Sequence, residues 1–181
     1  MSAIRAFVAL PLGEDLRGRI SRTVAGLQAC VQGIRWTSWE GWHLTLRFLG
    51  AASPGVLASM EAPLRSAAAR CPAGDACFAG LGTFPQRGAP RVLWLGVSLH
   101  AEFVELQSAC EAAAVAAGFP PETRAFHPHV TLGRWRDGAR RPRFPPADLG
   151  AGRLDELVLF RSDSTPSGAV YSPLASFPLK R

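Results

Sequence analysis

Lysine is nearly missing from this 181-residue chain: Lys180 is the only one among 20 basic residues, the rest being arginine. No Gly-x-x-x-x-Gly-Lys loop is present, which excludes the phosphate cradle of the common ATP-dependent enzymes. Cysteine is sparse as well. Cys30, Cys71, Cys77 and Cys110 show no Cys-x-x-Cys spacing, so they are expected to be free thiols in a reducing compartment. A Cys71–Cys77 metal pair has no histidine nearby in sequence to complete it. No apolar run approaches a membrane span, and Met1-Ser-Ala-Ile-Arg lacks the apolar stretch of a signal peptide; the expectation is a cytoplasmic protein with no membrane partner.

What is present is ordinary globular composition, 48% apolar and 19% charged, with a net charge of +6. A basic balance of that size favours polyanionic ligands such as nucleic acid. Base composition is a sufficient explanation for arginine over lysine, but the choice has a chemical consequence, because the guanidinium fork binds phosphate in a planar, bidentate way.

Hydrophobic patterning predicts strands at 4–10, 34–36, 42–49, 77–84, 92–97, 129–134, 154–160 and 169–177. Helices are predicted at 14–32, at 53–70 with Ser53 as N-cap and Pro54 at the first helical position, and at 100–117. Residues 137–147 read as a Pro/Arg loop. Each half runs strand, helix, strand. The expected fold is therefore α+β: two similar lobes with pseudo-two-fold symmetry, mainly antiparallel sheets lining a central cleft, helices outside. No linker is long or polar enough to separate the lobes, so residues 1–181 are expected to form a single two-lobed domain.

Histidine is also scarce, and its distribution carries the most information. Of the four histidines, two head the same tetrapeptide, His43-Leu-Thr-Leu and His129-Val-Thr-Leu. Shuffling this composition would give about 0.02 such tetrapeptides, so a pair in equivalent places of two similar halves calls for a functional explanation. On a strand, His43 and Thr45 share one face, as do His129 and Thr131, while Leu44, Leu46, Val130 and Leu132 face the core. Two imidazoles with two hydroxyls suit chemistry at a phosphate: one ring gives a proton, the other takes one, and the hydroxyls hold oxygens. His127 alternates with His129 and suggests a His-x-His metal pair, but Pro128 and Thr131 count against it, and no metal or cofactor is expected. His100, at a strand-to-helix junction, reads as structural.

The segments Trp42-His-Leu-Thr-Leu-Arg-Phe-Leu-Gly50 and Phe126-His-Pro-His-Val-Thr-Leu-Gly-Arg134 resemble the two-histidine phosphoesterases, in particular the RNA 2′,3′-cyclic phosphodiesterases, also called 2′-5′ RNA ligases. So do Arg35-Trp36, Gly80-Leu-Gly-Thr-Phe-Pro85, Arg91-Val-Leu-Trp-Leu-Gly-Val97, and the tail Leu157-Val-Leu-Phe-Arg-Ser162 with Gly168-Ala-Val-Tyr171. The resemblance implies metal-independent hydrolysis of RNA 2′,3′-cyclic phosphate ends, tRNA fragments among the candidates, to 2′-phosphates by a monomeric enzyme. It also implies reverse joining of RNA ends through a 2′-5′ linkage.

By the same resemblance His43 is the proton donor and His129 the acceptor, although the symmetry of the motifs does not decide between them. Thr45 and Thr131 would bind the non-bridging oxygens and Arg134 would neutralise the phosphate. On an ideal strand Arg134 faces away from His129, and a bulge at Gly133 would turn it inward. Its counterpart, Phe48, either stacks on the terminal base or packs in the core. Arg136, Arg140, Arg141 and Arg143 either grip RNA or form a solvated loop. Two other functions stay open: a phosphodiesterase of small cyclic nucleotides, and an RNA-binding module without catalysis.

Overall fold

The computed structural model describes residues 3–136, 140–166 and 168–181. The chain opens with β1 (Ile4–Pro11), whose residues Ala6–Leu10 are all buried. A strand this apolar on both faces belongs inside a sheet, not at its edge. Helix α1 (Glu14–Gln28) follows, with Glu14 and Asp15 in its first turn, where the helix dipole favours negative charge. Leu16, Ile20, Val24 and Leu27 supply its buried stripe. The helix stops four residues short of the expected end because Gly33, at φ 68°, reverses the chain into β2 (Ile34–Trp36).

A 3-10 turn at Trp39–Gly41 leads to β3 (His43–Ala52). This strand runs past Gly50, the residue predicted to end it. Gly50, at φ 74°, sits beside a bulge in the β1 pairing and so bends the strand without ending it. Helix α2 (Pro54–Arg70) is capped as expected, the Ser53 hydroxyl accepting from the Val56 N–H. β4 (Gly74–Phe84), β5 (Val92–Ser98), α3 (Ala101–Ala116) and β6 (His129–Trp135) then follow. The last three strands are β7 (Asp148–Leu154), β8 (Glu156–Thr165) and β9 (Gly168–Pro178). His100 precedes α3 as its N-cap and makes no side-chain capping bond.

All of these strands join one sheet in the order β7-β4-β5-β6-β3-β1-β8-β9, with β2 laid along β6, and every strand pairing is antiparallel. The order has an internal symmetry. Outward from the central pair, β6-β5-β4-β7 mirrors β3-β1-β8-β9. The expected lobes thus share a single continuous sheet, meeting at the two strands that carry the histidine motifs. α1 leaves β1 and packs on β7 in the other half; α3 leaves β5 and packs on β3 and α2. Each crossover helix therefore completes the core of the opposite half, and one cluster of buried apolar residues runs through both.

Strand β7 is not among the predicted strands. Its sequence, Asp-Leu-Gly-Ala-Gly-Arg-Leu, has two glycines and little β-branching. It is a strand because β4 offers it an edge, and its Gly152 lets Leu16 and Phe78 approach closely.

Candidate active site

The central seam is narrow. A single registered pair, Leu44 with Val130, joins β3 to β6, and both side chains are fully buried on the helix-covered face. One step along each antiparallel strand sets His43 beside Thr131 and Thr45 beside His129. All four residues are half-buried on the open face. Neither threonine hydroxyl has a hydrogen-bond partner among the described residues, so both remain available to a ligand.

The His129 Nδ1–H donates to the carbonyl of His127, two residues upstream, at 2.6 Å. That bond fixes the tautomer and leaves the second nitrogen of the ring free for proton transfer. For His43 the backbone of Gly41, also two residues upstream, is the group that favours the charged ring. Aromatic side chains fix the ring planes. Phe7 stacks on His43 at 4.7 Å and the Tyr171 edge meets it at 5.1 Å. Phe84 meets His129 edge-on at 5.0 Å, and Trp94 lies against His127 at 4.7 Å. Trp94 reaches this place by lying over Gly82, where a Cβ would come within 2.2 Å of the indole.

Burial disfavours the charged form of both rings. It pushes His43 down to about 4, with the positive charges of His129, Arg134 and Arg17 acting in the same direction and the Gly41 bond opposing. His129 is also lowered, chiefly by burial, with His127 and Arg134 adding to the effect and its carbonyl bond opposing. Arg134 thus exerts its charge on both imidazoles.

Strand irregularities explain how residues five positions after each histidine come to the histidine face. In the β5–β6 pairing, Trp94 opposes Thr131 while Leu93 opposes Gly133, so the register skips Leu132. That bulge reverses the alternation: Gly133 and Trp135 turn inward and Arg134 is exposed on the open face. Gly133 leaves no room for a side chain, because a Cβ there would lie 2.7 Å from Ile34 Cδ1 and 2.9 Å from the Arg35 carbonyl. β3 repeats the device, its register with β1 skipping Leu46. Here the inward position is Arg47, buried in an ion pair with Glu111 and donating to the Phe48 and Pro120 carbonyls. Phe48 is 49% exposed beside Phe7, so it is not a core residue. The cleft is therefore asymmetric: a guanidinium on one side, a phenyl ring on the other.

The arginine loop is only partly free. Arg141 donates to Thr83 and to the Pro85 and Gly88 carbonyls, which ties it to the β4–β5 turn. Arg140, Arg141 and Arg143 line a groove with residues 30–33 and Trp135, apart from the histidines. Part of the predicted loop, 137–139, lies outside the described residues. His127 stays exposed, and no group of three or more His, Cys, Asp or Glu among the described residues could hold a metal. The cysteines are all unpaired, and no described helix is long and apolar enough to cross a membrane.

Sequence reasoning assigned no role to Phe7, Phe84, Trp94 or Tyr171, to Phe160, whose ring lies 6.2 Å from that of His43, or to Arg17. Signals existed for several: Phe84, Trp94, Phe160 and Tyr171 all fall within the segments that carry the family resemblance, and Tyr171 is the chain's one tyrosine. Arg17 gave none, since its effect on His43 arises only through the tertiary fold.

Comparison with known proteins identifies the fold and the family. A family model described as the 2′-5′ RNA ligase superfamily matches residues 16–164. An RNA 2′,3′-cyclic phosphodiesterase from Methanothermobacter thermautotrophicus is 32% identical over 97% of this chain and 99% of its own length. One of the same name from Geobacillus stearothermophilus is 34% identical over 96% of this chain, which spans only 56% of that relative. A crystal structure of a Thermus thermophilus protein superposes with a TM-score of 0.85 at 29% identity, covering 97% of this chain and 98% of that one. The chain belongs to the 2′-5′ RNA ligase superfamily.

Proposed function

We propose that the chain hydrolyses RNA 2′,3′-cyclic phosphate ends to 2′-phosphates, using the two histidines as acid and base and no metal. The observation that carries this reading is the matched pair of half-buried imidazoles on adjacent central strands, each two residues ahead of a threonine on the same face. Curated relatives named for this activity support the substrate class.

Ring opening requires water to attack phosphorus roughly opposite the departing 3′-oxygen. His129, through its free nitrogen, takes a proton from the water as the new P–O bond forms. His43 delivers a proton to the 3′-oxygen as its bond to phosphorus breaks, leaving the phosphate on the 2′-oxygen. Thr45 and Thr131 donate hydroxyl hydrogen bonds to the non-bridging oxygens, and Arg134 offsets their charge. Phe48 stacks on the terminal base, a contact indifferent to base identity. The same machinery accepts a 5′-hydroxyl in place of water, which would join RNA ends through a 2′-5′ linkage. We place this activity in a single two-lobed, monomeric domain in the cytoplasm, with tRNA fragments among its substrates; the unpaired cysteines fit a reducing compartment.

The test is RNA ending in a 2′,3′-cyclic phosphate, incubated with the protein in excess chelator. Conversion to the 2′-phosphate, lost in His43→Ala and in His129→Ala, is the expected result. Activity that vanishes in chelator, or survives in both variants, contradicts the reading. RNA binding without turnover by the native protein would favour a binding module instead.

A further inference from the structure

We propose that Arg35, set opposite Arg134, is a second anion contact: Arg134 stays on the reacting phosphate while Arg35 holds the internucleotide phosphate next to it, which makes the enzyme prefer an RNA end to a free cyclic nucleotide. This rests on the function proposed above. It concerns a residue outside the histidine motifs and the arginine-rich loop.

Arg35 on β2 stands directly opposite Arg134 on β6. Directly opposed residues share a face, at about 4.5–5.5 Å between Cβ atoms. Their neighbours confirm the facing: Trp135 is buried, and Ile34 and Trp36 pack against the core, while Arg35 and Arg134 are both exposed. The shared face is that of His129 and Thr131, because of the bulge described above. Two like charges directly opposite one another destabilise a sheet. Among the described residues neither guanidinium has a carboxylate partner; only Arg19, Arg47, Arg124 and Arg161 have one. A second anion between or beside them would relieve that repulsion.

Arg35 is also held in place without being neutralised. Its Nη2 donates to the Pro166 carbonyl at 3.3 Å, where β8 turns into β9. Gly168, at φ 145°, makes room for it, since a Cβ there would lie 3.0 Å from the same nitrogen. The guanidinium is thus positioned on the cleft face beyond Arg134, with donors to spare. A single-stranded RNA end carries its next phosphate one residue from the terminal ribose, and a planar fork of N–H donors suits that group.

The experiment compares a nucleoside 2′,3′-cyclic phosphate with a short RNA ending in one, and with the same RNA carrying an uncharged methylphosphonate at its last internucleotide linkage. For the native protein, the methylphosphonate should cost 10- to 100-fold in kcat/KM. In Arg35→Gln the preference for RNA over the nucleoside should fall by a similar factor, the methylphosphonate should cost nothing more, and the salt slope for RNA should drop by about one. A native protein indifferent to the linkage charge overturns the proposal. So does an Arg35→Gln protein that loses equally on both substrates, or that still responds to the methylphosphonate as the native protein does. Failure of the native protein to turn over any of the three substrates would refute the catalytic reading itself.

Discussion

Adding sulfate, a phosphate-like dianion that does not itself titrate near pH 6, to the ligand-free protein should draw a proton out of solution. Free His43 is held down to about 4 by burial and by the charges of His129, Arg134 and Arg17. At pH 6 a group with that pKa is about 1% protonated, whereas one at the ordinary 6.5 is about three-quarters protonated. An anion bound between the imidazoles supplies the opposite charge and returns the ring toward its ordinary value. Full recovery from about 4 to 6.5 would link about 3.4 kcal/mol of proton affinity to anion binding, at 1.36 kcal/mol per unit. The same shift resolves a tension in the proposed roles, because an acid neutral at pH 7 must acquire its proton with the substrate. Calorimetry in buffers of different ionisation enthalpy should show an uptake of roughly 0.5–0.8 proton per sulfate at pH 6. NMR titration of the His43 ring should show its midpoint rising on binding. A midpoint near 6.5 in the free protein, or binding with no proton uptake, would refute the reasoning.

Other outcomes follow from the same contacts. A histidine whose folded pKa lies below its unfolded value lets the unfolded chain bind protons first as pH falls. The resulting stability is therefore present above about 6.5 and lost toward about 4. Replacing the ring that stacks on Phe7, as in His43→Phe, should remove up to about 2.4 kcal/mol of that loss, read from denaturant midpoints at pH 7 and pH 4.5. Gly133→Ala, forced against Ile34 and the Arg35 carbonyl, should destabilise by about 1–3 kcal/mol. It should also lower kcat/KM at least tenfold by moving Arg134; an active, fully stable variant would count against the bulge as its positioning device. Phe48→Ala should weaken RNA binding by about 1–3 kcal/mol regardless of the terminal base. Loss of stability without loss of affinity would return Phe48 to a packing role.

The histidine motifs were legible because a strand's period of two ties His43 to Thr45 and His129 to Thr131 locally. The helix-forming stripes and the Ser53 cap were legible for the same reason. What was hidden depended on pairing. Only the order of strands reveals that β3 and β6 meet at Leu44 and Val130 and merge the lobes into one sheet. β7 becomes a strand through the edge that β4 provides, against its own weak propensity. The turn of Arg134 onto the histidine face was hinted at by Gly133, but the matching turn of Phe48 was not. There, Arg47 occupies the inward position, and its burial depends on a partner, Glu111, far away in sequence. Arg35 could be read only as part of a resemblance until β2 was seen beside β6.

The central claim is that both imidazoles act together on one phosphorus, and a double-mutant cycle tests it most directly. Turnover of RNA 2′,3′-cyclic phosphate would be measured for the native protein, His43→Ala, His129→Ala and the double variant. Groups that act as a unit are strongly non-additive. Each single change should cost about 10²–10⁴-fold, and the double change little more than the worse single. Losses that multiply, or a single variant that keeps near-native turnover, would contradict it.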